Sequence, residues 1–167
     1  MVIFDTTFLT FVFVPNAKCN VDRPKERIDF LISDLHGEGE KVGVPAPALS
    51  ELLIKTGHST QQIIHELTAK ATRFQVLPFD TIAAIELAQI AIEIAKKGPK
   101  RGDSTETWAK VKYDRQIVAI AKVLKARAIF SEDPGLRKLA ESLGIAVKGI
   151  AECPLPFGSQ PTSGELF

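Results

Sequence analysis

The chain has 167 residues and 18.2 kDa, enough for one domain with a proper core. Its 45% hydrophobic and 25% charged content is that of a soluble globular protein. The net charge of +1 excludes a global field toward nucleic acid or membrane, so any polyanion site must be local.

Val2-Ile3-Phe4 reads as a buried parallel strand with Asp5-Thr6-Thr7 at its carboxyl end. Phe8 to Val14 stays apolar and is expected to form the next helix. Pro24 to about Leu35 carries Ile28, Leu31, Ile32 and Leu35 on one stripe, with Gly37 and Gly39 ending it. Lys41 to Pro45 is a short strand, and Pro47 sits near the start of a helix running through Glu51 to Gly57. Ser59 or Thr60 caps a helix that ends near Thr72, and Phe74 to Leu77 is a strand. Asp80 or Thr81 opens a long helix to Lys97, on which Glu86, Gln89, Glu93 and Lys97 form a polar line and the isoleucines a wide buried face.

Lys96 to Tyr113 is rich in Gly, Pro and basic residues and reads as a surface loop plus a helical turn. A helix from about Asp114 to Lys125 follows, with Ile117, Ile120, Ala121 and Leu124 facing the core. Ala128-Ile129-Phe130 is a strand ending at Ser131-Glu132-Asp133, Pro134 begins a helix closed by Gly144, and Ile145 to Ile150 is a last strand. Residues 1–152 thus form one domain, and the Pro/Gly/Ser content of 153–167 reads as a loose tail. Strands alternating with helices predict an α/β fold of three α/β/α layers around a central parallel sheet. Its working edge should lie at the strand carboxyl ends, near a switch in strand order.

Cys19 and Cys153 form no CxxC pair, which fits a reducing cytosol, and His36, His58 and His65 give no zinc pattern. No export signal is expected, because the apolar start contains Asp5 and has no basic segment before it. Ile82 to Ala95 is too short and too charged to span a bilayer. A cytoplasmic protein without membrane contact is expected.

Asp5, Glu51, Asp114 and Asp133 carry most of the chemistry. Each stands where a strand ends or a helix begins, and such points gather at one edge of a parallel sheet. Several carboxylates in one place repel unless a divalent cation neutralises them, which points to Mg²⁺ or Mn²⁺ and to phosphodiester hydrolysis. Each residue also has a plainer reading. Asp133 before Pro134 is a common helix cap, Asp114 reads as another cap, and Glu51 as an exposed helix residue. Asp5 ends a hydrophobic strand and must be solvated, hydrogen-bonded or charge-paired.

The ordered set resembles the PIN-domain family, metal-dependent nucleases that include VapC-type toxins. The resemblance rests on Val2-Ile3-Phe4-Asp5-Thr6-Thr7, Ser50-Glu51-Leu52-Leu53, Asp114 to Ala121, and Ile129-Phe130-Ser131-Glu132-Asp133 with Leu143-Gly144-Ile145, and spans residues 1 to 150. It implies an acidic quartet of Asp5, Glu51, Asp114 and Asp133 that binds Mg²⁺ or Mn²⁺, with Thr6 and Ser131 at positions that commonly bear a hydroxyl near the metal. It also implies a ribonuclease, an RNA substrate, an antitoxin protein as partner and a homodimer. The extra length at residues 96–113 and in the tail departs from a compact toxin.

The stretch from Lys96 to Arg115 holds Lys100, Arg101, Lys110, Lys112 and Arg115, which could steer a phosphate backbone toward Asp114. Trp108 and Tyr113 could stack on unpaired bases, or Trp108 could pack on the domain. Two rivals stand beside the nuclease. One is a PIN-like module that binds RNA or protein without cutting. The other is a haloacid dehalogenase-type phosphatase, which wants a second Asp two residues after Asp5, where this chain has Thr7.

Overall fold

The computed structural model describes residues 1–98 and 107–156. Five short strands, β1 (Val2–Phe4), β2 (Val42–Pro45), β3 (Phe74–Leu77), β4 (Ile129–Phe130) and β5 (Val147–Lys148), form one all-parallel sheet. Helices α1 (Thr6–Phe13), α2 (Pro24–Gly37), α3 (Ala46–Thr56), α4 (Thr60–Ala69), α5 (Thr81–Lys97), α6 (Trp108–Val123) and α7 (Pro134–Ser142) complete the α/β/α layers predicted from the pattern. No helix among the described residues is long and apolar enough to cross a membrane.

The strand order is β3-β2-β1-β4-β5. The chain builds outward from β1 to β3 and then returns to the other side of β1 for β4 and β5. The switch in direction therefore falls between β1 and β4, where an open α/β sheet leaves a crevice at its carboxyl edge. All of β1 is buried, as a central strand covered on both faces requires. Its register with β4, Ile3 to Ile129 and Phe4 to Phe130, sets Asp5 beside Ser131. Phe4, Phe8 and Phe130 pack in a mutual cluster with ring centroids 5.2 to 5.5 Å apart. Such aromatic pairs add about 0.5–1.5 kcal/mol each beyond their burial. Asp5 and Ser131 follow directly on two of these rings, so the polar edge is seated on a rigid apolar floor.

Several expectations are corrected. The helix expected to start at Asp114 begins at Trp108, with the Thr107 hydroxyl accepting from the Lys110 amide at 3.4 Å. Its buried stripe runs upstream through Val111, Arg115 and Val118; a cation in that stripe disguised it as loop. The last strand covers only Val147–Lys148 before a 3₁₀ turn at Ile150–Glu152. Cys153, assigned to a loose tail, is buried, and its carbonyl accepts from Arg27 at 2.6 Å.

The buried face of α5 is narrower than expected: Ile90 is buried and Ile94 packs on the core, but the other isoleucines face out. Ile82, Ile85 and Ile92 are 62%, 56% and 56% exposed. Glu86, placed in the solvated line, instead turns toward α6 and pairs with Lys122 at 2.7 Å. An amphipathic count cannot tell which side of a helix its neighbours cover.

Candidate functional site

Asp5 ends β1 and caps α1. One carboxylate oxygen accepts from the Phe8 amide at 2.9 Å and the Thr7 hydroxyl at 2.7 Å; the other accepts from the Ser131 hydroxyl at 2.5 Å. The residue is only 2% exposed. Burial pushes its pKa up to about 6, against the pull of these hydrogen bonds and with help from the charge of Asp133.

Ser131 is fully buried, and its hydroxyl oxygen also accepts from the Asp133 amide at 2.9 Å. It thereby ties the end of β1 to the start of α7. Thr7 makes a second tie, donating to Asp5 and accepting from the Glu132 amide at 2.9 Å. Asp133 does cap α7, with one oxygen accepting from the Gly135 and Leu136 amides at 2.8 and 2.9 Å. Its other oxygen is left for the crevice, where Lys110 Nζ stands at 2.5 Å.

Glu51 reaches the same edge from α3, which leaves the carboxyl end of β2 and packs against α1 and α6. The Thr6 hydroxyl donates to it at 2.6 Å and Lys55 pairs with it at 2.9 Å. Burial would raise its carboxyl, but these two hydrogen bonds, with the charges of Lys55 and Lys110, outweigh that and hold it below its ordinary value. Asp114 is not a cap: it lies within α6, one turn past Lys110, whose ammonium is 3.3 Å from it. Burial pushes Asp114 up to about 6; Lys110 opposes this, and the charges of Asp133 and Asp5 add to it. For Asp133 the balance is reversed: burial raises it, but the Lys110 hydrogen bond and the helix amides hold it low.

At this edge Lys110 contacts Asp114 and Asp133 and lies within the field of Glu51, while Asp5 lies within the field of Asp133 and acts on Asp114. As they stand, no three His, Cys, Asp or Glu side chains among the described residues are close enough to share an ion. The donor set is nonetheless all hard oxygen, with no thiolate or imidazole, and Lys110 already stands in as a cation between two of its members. The residues present fit a hard divalent ion in kind.

No described protein family matches the sequence, and no curated protein matches it either. Solved structures do. A chain in the crystal structure of VapBC2 from Rickettsia felis bound to a DNA fragment from its promoter superposes with a TM-score of 0.62 at 12% identity. The match covers 89% of this chain and 98% of that one. A chain of DNA-bound VapBC from Salmonella typhimurium gives 0.57 at 20% identity, over 89% and 97%. The chain has the PIN-domain fold. Identities this low speak for the fold and leave the chemistry to the residues.

On this PIN fold the basic residues separate. Lys112 is exposed, with its ammonium 5.4 Å from the Trp108 ring centre. Arg115 is not the surface contact expected: it is 5% exposed and its guanidinium lies 5.3 Å from the same ring. Its place in the buried stripe of α6 draws it inward. Lys110 belongs to the acidic cluster, while Lys100 and Arg101 lie outside the described residues. Sequence reasoning missed Lys110 as a cluster member, Lys55 as the partner of Glu51, and Thr7 as a clamp. The signal for both lysines was spacing: each stands four residues from its acid on a helix.

Proposed function

We propose that this chain is a divalent-metal-dependent endoribonuclease that hydrolyses RNA phosphodiester bonds and acts as the toxin of a toxin–antitoxin pair in the cytoplasm. The observation that supports the proposal is the pairing of Lys110 with Asp114 and Asp133 at the strand-order switch, within the field of Glu51 and with Asp5 and Asp133 acting on each other's charge. Those four residues would hold Mg²⁺ or Mn²⁺, which when bound supplies Lewis acidity for attack of water on phosphorus. The chain's own work is positioning. Ser131 and Thr7 fix both oxygens of Asp5, Thr6 fixes Glu51, and the first turn of α7 fixes one oxygen of Asp133. Held this way, the carboxylates lose little rotamer freedom when they engage an ion. Lys112, with Lys100 and Arg101, would guide the RNA backbone, and Trp108 is braced by Arg115 beside that route.

Both solved structures are VapBC assemblies, which supports an antitoxin partner. The outward stripe of α5 supports a homodimer. Ile82, Ile85, Gln89 and Ile92 recur at the three-and-four spacing that a pair of packed helices needs. Ile85→Lys is expected to shift the particle from dimer to monomer by light scattering; an unchanged mass would remove this face from the dimer.

One observation favours a second reading, a PIN-like module that binds without cutting: the ammonium of Lys110 sits between two of the proposed ligands. Labelled single-stranded RNA incubated with the purified protein separates the two. Cleavage that needs Mn²⁺, stops with chelator and is lost in Asp5→Asn and Asp114→Asn supports the nuclease. Metal-independent cleavage, or cleavage retained in both variants, overturns it.

A further inference from the structure

We infer that Lys110 is a tethered competitor of the divalent ion, holding Asp114 and Asp133 together in the metal-free protein and having to leave both for an ion to be held. The inference rests on the metal-dependent reading above and deepens it, because the affinity of the cluster for its ion is then set partly by a side chain of the same protein.

The position of Lys110 argues against an ordinary helix lysine. It is the third residue of α6, where the positive end of the helix dipole disfavours a cation. Its pairing with Asp114 has the lysine four residues N-terminal to the acid, the weaker orientation for such a pair. The acidic cluster compensates for both. Lys110 Nζ is 2.5 Å from Asp133 on α7 and 3.3 Å from Asp114 on its own helix, and it also lies within the field of Glu51. The side chain is 28% exposed, so the ammonium has a way out toward solvent.

The chemistry suits an exchange. An ammonium is a compact point charge on a flexible stem, able to swing away without moving the backbone. A divalent ion brings twice the charge to the same oxygens and would repel it. The Asp133 oxygen that faces Lys110 is the one left free by the Gly135 and Leu136 amides, so ion and ammonium would compete for the same oxygen.

Mn²⁺ titration calorimetry on the full chain tests this with wild type, Lys110→Gln and Lys110→Arg, alongside melting in chelator. The glutamine variant is expected to bind Mn²⁺ on the order of tenfold more tightly, the loss of about one charge-pair's worth of competition. It is also expected to melt below wild type in chelator, where the two aspartates lose the ammonium between them. The arginine variant, which keeps a charge, should bind no more tightly than wild type. Equal or weaker binding by the glutamine variant overturns the inference and leaves the metal-dependent reading standing. Binding by neither wild type nor the glutamine variant overturns both. Should the glutamine variant not fold, wild type labelled with ¹⁵N-lysine answers the question. The Lys110 ammonium resonance should move on Mg²⁺ binding, and an unmoved signal with Mg²⁺ bound overturns the inference.

Discussion

The corner from β1 into α1 and the corner from β4 into α7 are built alike and behave differently. Each puts an aspartate between a strand and a helix, and each aspartate caps the helix that follows. Yet Asp5 is pushed up to about 6 while Asp133 is held below its ordinary value. The local motif is the same; the surroundings differ. Asp5 is buried and receives only neutral donors, from Ser131, Thr7 and the Phe8 amide. Asp133 has an ammonium at 2.5 Å. A cap geometry sets where a carboxylate points, and its neighbours set whether it carries charge.

The largest expected effect removes that difference at the level of chemistry. Asp5→Asn and Asp133→Asn should each lower Mn²⁺-dependent RNA cleavage by at least about a hundredfold, the scale of losing a charged group at a reacting centre. Near-normal turnover in either variant would show that the two corners are not parts of one site. Stability should then separate them. Asp5→Ala loses a cap and leaves the buried Ser131 hydroxyl without its acceptor, a cost of about 2–4 kcal/mol. Asp133→Ala loses its cap and one of the two carboxylate partners of Lys110, and should cost about 1–2 kcal/mol. Urea melts that reverse this order would break the comparison.

The pH response sharpens it further. The folded-state pKa values of Asp5 and Asp114 lie near 6, above the ordinary 3.8, so the folded protein binds more protons than the unfolded chain between those values. Their contribution to stability is therefore complete below pH 3.8 and lost as pH rises through about 6. Asp133 and Glu51, both lowered, act in the opposite sense, stabilising above their ordinary values and losing that as pH falls. In chelator, Asp114→Asn should melt higher than wild type at pH 7, by about 1–3 kcal/mol at about 1.4 kcal/mol per pKa unit. The gain should shrink toward pH 4, and Mn²⁺ should reverse it. A gain that does not depend on pH would mean that Asp114 is not held up by its surroundings. Ser131→Ala should have the smallest effect, about 1 kcal/mol, with reduced cleavage because Asp5 and Asp133 lose their shared tie.

Much of this edge was legible before any fold was seen. The strand Val2-Ile3-Phe4, the hydroxyls after Asp5 and the Asp133-Pro134 pair are local signals, and each describes what the backbone does within a few residues. Asp114 shows the limit of a local signal. It was read as a helix start, yet it lies in the second turn of α6 and still faces the edge. Lys110 was placed on a surface loop because Gly, Pro and basic residues precede it, and the helix start at Trp108 was hidden by Arg115 occupying a stripe position. The isoleucines of α5 were read as buried because the pattern cannot say which neighbours arrive.

By itself the sequence determined the strands, the capping aspartates and the order of elements, since hydrophobic runs and cap residues act within a turn or two of the chain. The tertiary structure alone decided that Asp5 is tied to Ser131 across 126 residues, that an ammonium stands between Asp114 and Asp133, and that α5 turns isoleucines to solvent. Burial and charge are properties of a place, and that place is made by segments distant in sequence that meet only on folding.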